Sequence, residues 1–341
     1  MVLTRRDFVI AGAATAASAC ANTSVALPLE QSSIVTFEPF SSEFAKVIAT
    51  KVPATTLGEG YRWAEGPAWD HIRQALYFTD VPTNRAYRWS KEVGVEVFLD
   101  PSGVAPEMAG GLREAGANGL LLSRDDKLII CNHGKRAVEK LDLDEGTRES
   151  IVADFEGARF SSPNDVIEAS DGTLYFTDPP YGLEGLDNSP MKETPFNGVY
   201  RYSKTAGLAP LVSDMTFPNG VALTPDERSL LIAQSDPKHP IIRKVDLQNG
   251  SQEAAWFDAS PYMVGHDGLP DGLAVSTTGH VFVAGPGGVL VLTSKGECIG
   301  RIGTGRATAN CTFGGDGQTL FITARDILLR VETFVRGVGR F

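Results

Sequence analysis

The chain has 341 residues, with 31 Lys and Arg against 42 Asp and Glu for a formal net charge of −11. That length suits two average domains or one large single-core fold, and 42% hydrophobic with 21% charged residues is ordinary for a soluble globular protein. The acidic balance excludes the basic stripe a nucleic-acid partner would need.

The first segment reads as a targeting signal rather than as part of the fold. Arg5 and Arg6 precede the small apolar run Ala11 to Ala19, which resembles a twin-arginine export signal. The run is too short for a permanent membrane span. Cleavage after Ala26 would leave a mature chain without a transmembrane segment, in the periplasm or exported; lipid anchoring at Cys20 is the lesser alternative. Residues 1–26 are therefore expected to be the signal, 27–50 an N-terminal extension and 51–341 the folded domain. Cys131, Cys298 and Cys311 lack C-x-x-C spacing and read as buried strand cysteines.

From residue 52 onward the chain repeats. A strand is expected from Val52 to Leu57. Then one template recurs: a polar residue, a short apolar run, a turn and a second apolar run. Its copies open at Glu65, Asn118, Asn164, Asn219, Asp271 and Asn310, at intervals of 39 to 55 residues. The second runs are Leu76–Asp80, Leu128–Ile130, Leu174–Asp178, Leu230–Ile232, Val281–Val283 and Leu320–Ile322. Asp125-Asp126, Asp171-Gly172, Asp226-Glu227, Thr278-Gly279 and Asp316-Gly317 mark hairpins within the copies. No stretch holds a 3.6-residue apolar period over several turns, so helices should be few. Six such repeats predict an all-β, six-bladed β-propeller with four-stranded blades, its ring closed by the N-terminal strand as the outermost strand of the last blade.

In a propeller the first strand of each blade runs along the axis, so the six leading polar residues should converge at one end of the channel. Buried polar groups need partners. A ring of carboxylate and carboxamide oxygens suits a hard cation, since Ca²⁺ takes roughly six to eight oxygen ligands. Mg²⁺ and Mn²⁺ are the nearest alternatives, and Zn²⁺ is less natural on softness grounds. Taken singly, each residue would also pass as a strand cap or an Asx-turn.

Glu65-Gly66-Pro67-Ala68-Trp69, Ser162-Pro163-Asn164-Asp165-Val166, Phe176-Thr177-Asp178-Pro179-Pro180-Tyr181-Gly182, Phe217-Pro218-Asn219-Gly220-Val221 and Leu269-Pro270-Asp271-Gly272 resemble the gluconolactonase and senescence-marker-protein (regucalcin) family. The Thr-Asp-Pro-Pro-Tyr-Gly motif is nearest to the bacterial gluconolactonases. The likeness covers almost everything after about residue 55. It implies one divalent cation, Ca²⁺ first among candidates, held by Glu65, Asn164, Asn219 and Asp271. It also implies that Asp271 is the catalytic acid/base and that Arg159 contacts substrate, the latter across a two-residue offset.

The substrate implied is a sugar lactone such as glucono-1,5-lactone. Asn118, His133 and Tyr181 join Arg159 as candidates to bind it. His133 follows an inner strand and could lie at either end of its blade. The long connection from Gly182 to Phe196 reads either as a lid or as a surface insertion, and Trp63 either as a pocket wall or as packing between blades. No G-x-S-x-G elbow, H-E-x-x-H, P-loop or dinucleotide fingerprint is present. The competing readings are a phosphotriesterase of the diisopropyl fluorophosphatase kind and a non-catalytic ligand-binding propeller.

Overall fold

The computed structural model describes residues 34–341, and the expected export signal and Cys20 lie outside them. Six antiparallel sheets follow one another along the chain. Blade one comprises Ala64–Asp70, Ala75–Asp80, Arg85–Ser90 and Gly94–Leu99. The inner strands of blades two to six are Ala117–Leu122, Val166–Glu168, Pro218–Leu223, Leu273–Val275 and Asn310–Gly314. Each inner strand pairs only with the second strand of its own blade, so sheet order follows chain order. This is the six-bladed propeller that the repeat predicts.

The last blade closes as expected. Thr55–Glu59 forms its outermost strand, paired with Ile327–Glu332 in the register Thr55 to Arg330. The strand is shifted from the expected Val52 to Leu57: residues 52–54 lie outside it, and Gly58 and Glu59 continue the ladder after a bulge. One strand was not foreseen. Thr36–Pro39 pairs with Cys298–Gly303 and gives blade five a fifth strand. A four-residue segment ending in proline carries no alternation to announce it; what holds it is tertiary. Phe44 is fully buried, against Gly300, where an added Cβ would come within 2.2 Å of its ring.

The core explains the sequence pattern of the second strands. A blade is covered on both faces by its neighbours, so these strands are buried along their whole length and are apolar through their middles, with buried polar residues at the ends of five of the six. Six hydrophobic clusters fill the six gaps between blades. Tyr77 and Leu128 meet between blades one and two, and Leu76 and Phe321 between one and six. The hairpin signals hold as well: Asp126, Gly172, Glu227, Gly279 and Gly317 all adopt positive φ. Helix is limited to Phe44–Val47 and a few 3-10 turns among the described residues. Cys131 and Cys311 are buried, whereas Cys298 is half-exposed; all three are free.

The Gly that follows four of the six axial polar residues has a steric reason. A Cβ on Gly66, which sits at φ +50°, would lie 2.1 Å from the Asn118 carbonyl oxygen; one on Gly272 would lie 1.9 Å from Asn310 Cγ. Gly66→Ala is expected to cost about 2 kcal/mol or more, lowering the thermal midpoint by roughly 4 °C or more. Thermal denaturation followed by circular dichroism checks this, and an unchanged midpoint would show that the blades can separate to admit the methyl group.

Candidate active site

The six axial residues do converge. Asn118 Nδ2 donates to Asn164 Oδ1 at 2.8 Å, Asn164 Nδ2 donates to Asn219 Oδ1 at 2.6 Å, and Asn219 Nδ2 donates to Ser235 Oγ at 2.9 Å. The Ser235 hydroxyl passes the chain on to the Pro270 carbonyl at 2.7 Å, beside Asp271. On the other side Asn310 Nδ2 approaches Glu65 Oε2 at 3.4 Å. The backbone is held in the same way: Thr79 Oγ1 donates to the Asn118 carbonyl at 3.1 Å and Thr177 Oγ1 to the Asn219 carbonyl at 2.7 Å. This accounts for the Thr in the Phe-Thr-Asp motifs. The Asp anchors the approach to the inner strand: Asp80 accepts the Arg62 and Trp63 amides, and Asp178 accepts those of Ser161 and Ser162.

The carboxylates on the axis are in electrostatic conflict. Burial raises Glu65 to about 7, the Asp165 charge adds to this, and the Gly66 amide opposes it. Burial raises Asp271 well above its ordinary value, and the charges of Glu65 and Asp165 push it further. Asp165 itself is raised to about 6 by burial although it accepts the Val221 amide at 3.0 Å. Asp271 Oδ1 is buried with no hydrogen-bond partner. Two buried, mutually repelling carboxylates, one with an orphaned oxygen, beside carboxamide oxygens form a donor set that fits a hard cation. Among the described residues no three His, Cys, Asp or Glu side chains cluster, so carboxamides must supply part of any such site.

The remaining candidates separate. His133 is fully buried at this end of its blade, with Nε2 3.3 Å from Asn164 Oδ1 and Nδ1 3.4 Å from Glu114 Oε2. Tyr181 stacks on Phe217, with ring centroids 6.0 Å apart, and its hydroxyl donates to the Phe217 carbonyl. Burial and the nearby Asp271 raise its phenol far above the ordinary value, against interactions with Ser235 and Asn219. Trp63 faces Glu65 as a hydrogen-bond donor, which makes it part of the site's wall.

Arg159 is not brought to the ring. Its side chain is exposed on the short ribbon Ala158–Arg159, where Nη2 donates to the Lys135 carbonyl at 3.1 Å. Arg113 is exposed as well and pairs with Glu114, and its charge acts weakly on the Tyr181 phenol.

The Gly182–Phe196 connection is fastened to the loop before blade two. Arg113 N donates to the Gly182 carbonyl and Glu184 N to the Gly111 carbonyl, at 2.9 and 3.0 Å. A Cβ on Gly182 would lie 2.9 Å from His133 Cβ, so this loop forms a packed wall over the histidine. Arg113, Glu114 and Ser235 carried no signal in the sequence. Asp165 stood inside a recognised motif without an assigned role.

The comparisons with known proteins agree with this architecture. The SMP-30/Gluconolactonase/LRE-like region matches residues 63–326. The chain belongs to that family. It is 37% identical over 302 residues to a gluconolactonase of Zymomonas mobilis, covering 86% of this chain and 85% of that one. It is 25% identical to a pentonolactonase of Haloferax volcanii, covering 77% of this chain and 81% of the other. The structure of a gluconolactonase from Xanthomonas campestris superposes with a TM-score of 0.76 at 29% identity, covering 88% of this chain and 96% of that one.

The raised carboxylates give this family member a defined pH dependence. Between the unfolded carboxylate value near about 4.3 and the folded value of about 7 at Glu65, the native state holds protons that the unfolded state has lost. Stability of the chelated protein should therefore fall as pH rises from 5 to 7.5, and Asp271→Asn should flatten the fall by removing one of the repelling charges. Melting curves across that range test it; a chelated protein that gains stability with rising pH would contradict the assignment.

Proposed function

We propose that this lactone hydrolase opens a sugar lactone, such as glucono-1,5-lactone, to its aldonic acid at the axial ring, with a divalent cation bound by Glu65, Asn164, Asn219 and Asp271. Family membership and 37% identity across most of both chains make the protein a lactone hydrolase. They favour this reading over phosphotriester hydrolysis or a non-catalytic propeller. The observation that carries the metal reading is the orphaned, buried Asp271 Oδ1 facing the Glu65 charge. Ca²⁺ fits an all-oxygen donor set best, with Mg²⁺, Mn²⁺ and Zn²⁺ as the alternatives to test.

A bound cation would polarise the lactone carbonyl and stabilise the oxyanion of the tetrahedral intermediate. The chain's own residues do the rest. Water adds to the carbonyl carbon, the bond to the ring oxygen breaks, and Asp271 carries the water's proton to that oxygen as it leaves. Asn118 and His133 stand beside Asn164 with polar atoms suited to sugar hydroxyls. Tyr181 closes the side toward Asn219.

The exported, periplasmic location remains part of the proposal and rests on Arg5, Arg6 and the apolar run after them. Among the described residues no helix is long and apolar enough to cross a membrane.

Purified mature protein should hydrolyse glucono-1,5-lactone above its spontaneous opening, lose that rate on chelation and regain it with Ca²⁺ or one of its alternatives. Asp271→Ala and Glu65→Gln should each lower the rate about 100-fold or more. Full activity in the presence of chelator would sink the metal assignment. Glu114→Gln loosens the partner that orients His133 and should lower kcat/KM about tenfold without loss of bound cation; unchanged kinetics would remove His133 from the site.

A further inference from the structure

We infer that the protein carries a second ligand site, for a polyhydroxylated anion such as a sugar acid or sugar phosphate, in a cavity at the rim between blades five, six and one. The cavity measures about 720 Å³, within the range of roughly 300–1,000 Å³ typical of small-molecule sites. Arg62, Arg306, Arg325 and His266 line it, together with Asp267 and Asp326. It opens at the same end as the axial ring but shares no residue with it: Ala64 N donates to the Arg325 carbonyl at 2.7 Å, one residue before Glu65.

Its charge is unusual for this molecule. Asp326 is committed to Arg306, whose Nε donates to Oδ1 at 2.7 Å. Arg62 and Arg325 are exposed and have no side-chain hydrogen bond or ion pair among the described residues. Two free guanidinium groups therefore face one remaining carboxylate, Asp267, leaving a net positive cavity on a chain of net charge −11. An acidic protein otherwise repels anions, so a local reversal of sign is what selects one.

The floor is built rather than incidental. Arg301, only 6% exposed, is gripped by Glu38 of the added fifth strand and by the Pro286 carbonyl. Its Nη2 donates to His266 Nε2 at 2.8 Å. A guanidinium only donates, so Nε2 must accept and the ring proton sits on Nδ1. His266 is thereby set as a donor, packed against Gly287, where an added Cβ would lie 2.8 Å from Nδ1. Arg306 is similarly fixed by Asp326 and the Gly305 carbonyl. Pre-set donors lose little freedom on binding. The free Asp267 carboxylate then accepts from hydroxyls. Guanidinium groups for an anionic group beside a carboxylate for hydroxyls is the chemistry of a sugar acid or sugar phosphate.

Isothermal titration of the full protein at low salt with glucose 6-phosphate, gluconate, inorganic phosphate and neutral glucose tests this. Arg62→Gln/Arg325→Gln and Asp271→Asn are run beside the wild type. The expected result is millimolar or tighter binding of at least one sugar anion, weakened about tenfold or more in the double arginine variant and unchanged in Asp271→Asn, with no binding of glucose at this site. The arginine variant should keep wild-type melting and lactone turnover, since neither residue reaches the ring. Binding lost only in Asp271→Asn would place the anion on the axis and overturn the inference. So would no binding of any probe, or phosphate binding as tightly as the sugar anions. Failure of the lactonase reading alone would leave these titrations unchanged.

Discussion

Between neighbouring blades, the residue after each axial side chain lies directly against the backbone or side chain of the next blade's axial residue. Gly66 abuts Asn118, Gly119 abuts Asn164, Gly220 abuts Asp271 and Gly272 abuts Asn310. This approach is too close for a side chain, and it crowds six polar groups around the axis, five of them buried. The Thr hydroxyls of the second strands then fasten the axial carbonyls from the neighbouring blade. The pattern departs from glycine in blade six, at Cys311, and in blade three, at Asp165, whose carboxylate ties to the Val221 amide of blade four. The seam between blades and the shape of the site are one arrangement.

That arrangement loads the axis with negative charge. Burial raises all three carboxylates; the Asp165 charge adds to Glu65, and the charges of Glu65 and Asp165 together push Asp271 further still. A protein built only for stability would replace these groups with apolar ones, since a buried, unpaired carboxylate is costly. Their retention makes sense if a bound positive charge offsets the repulsion.

The loops treat the two sides of that mouth differently. On the side of blades two and three, the segments around Arg113 and Gly182 cross-link and bury His133 beneath them. On the opposite side, loops of blades five, six and one leave an open, basic cavity, braced from below by Arg301 and the strand Thr36–Pro39. A strand that carries no sequence signal thus supports a charged surface far from it in the chain.

The repeat of polar residue, glycine and apolar run was enough to establish the propeller, its six blades, its closure and the six residues on the axis, because each is dictated locally by strand period, turn chemistry and close backbone approach. The sequence could not place residues whose position depends on how loops from different blades fold against one another. Arg159 and Arg113 are both exposed arginines in connections, and nothing local says that the backbone of Arg113 fastens to the Gly182 loop. His133 became part of the site only because the Gly182 loop covers it and Glu114 meets its Nδ1. The fifth strand of blade five exists because Phe44 finds a groove over Gly300, a contact between segments more than two hundred residues apart. Local period and turn chemistry act over a few residues and are written in the sequence; loop-to-loop packing and the summed field of buried charges act across the fold, and only the tertiary structure decides them.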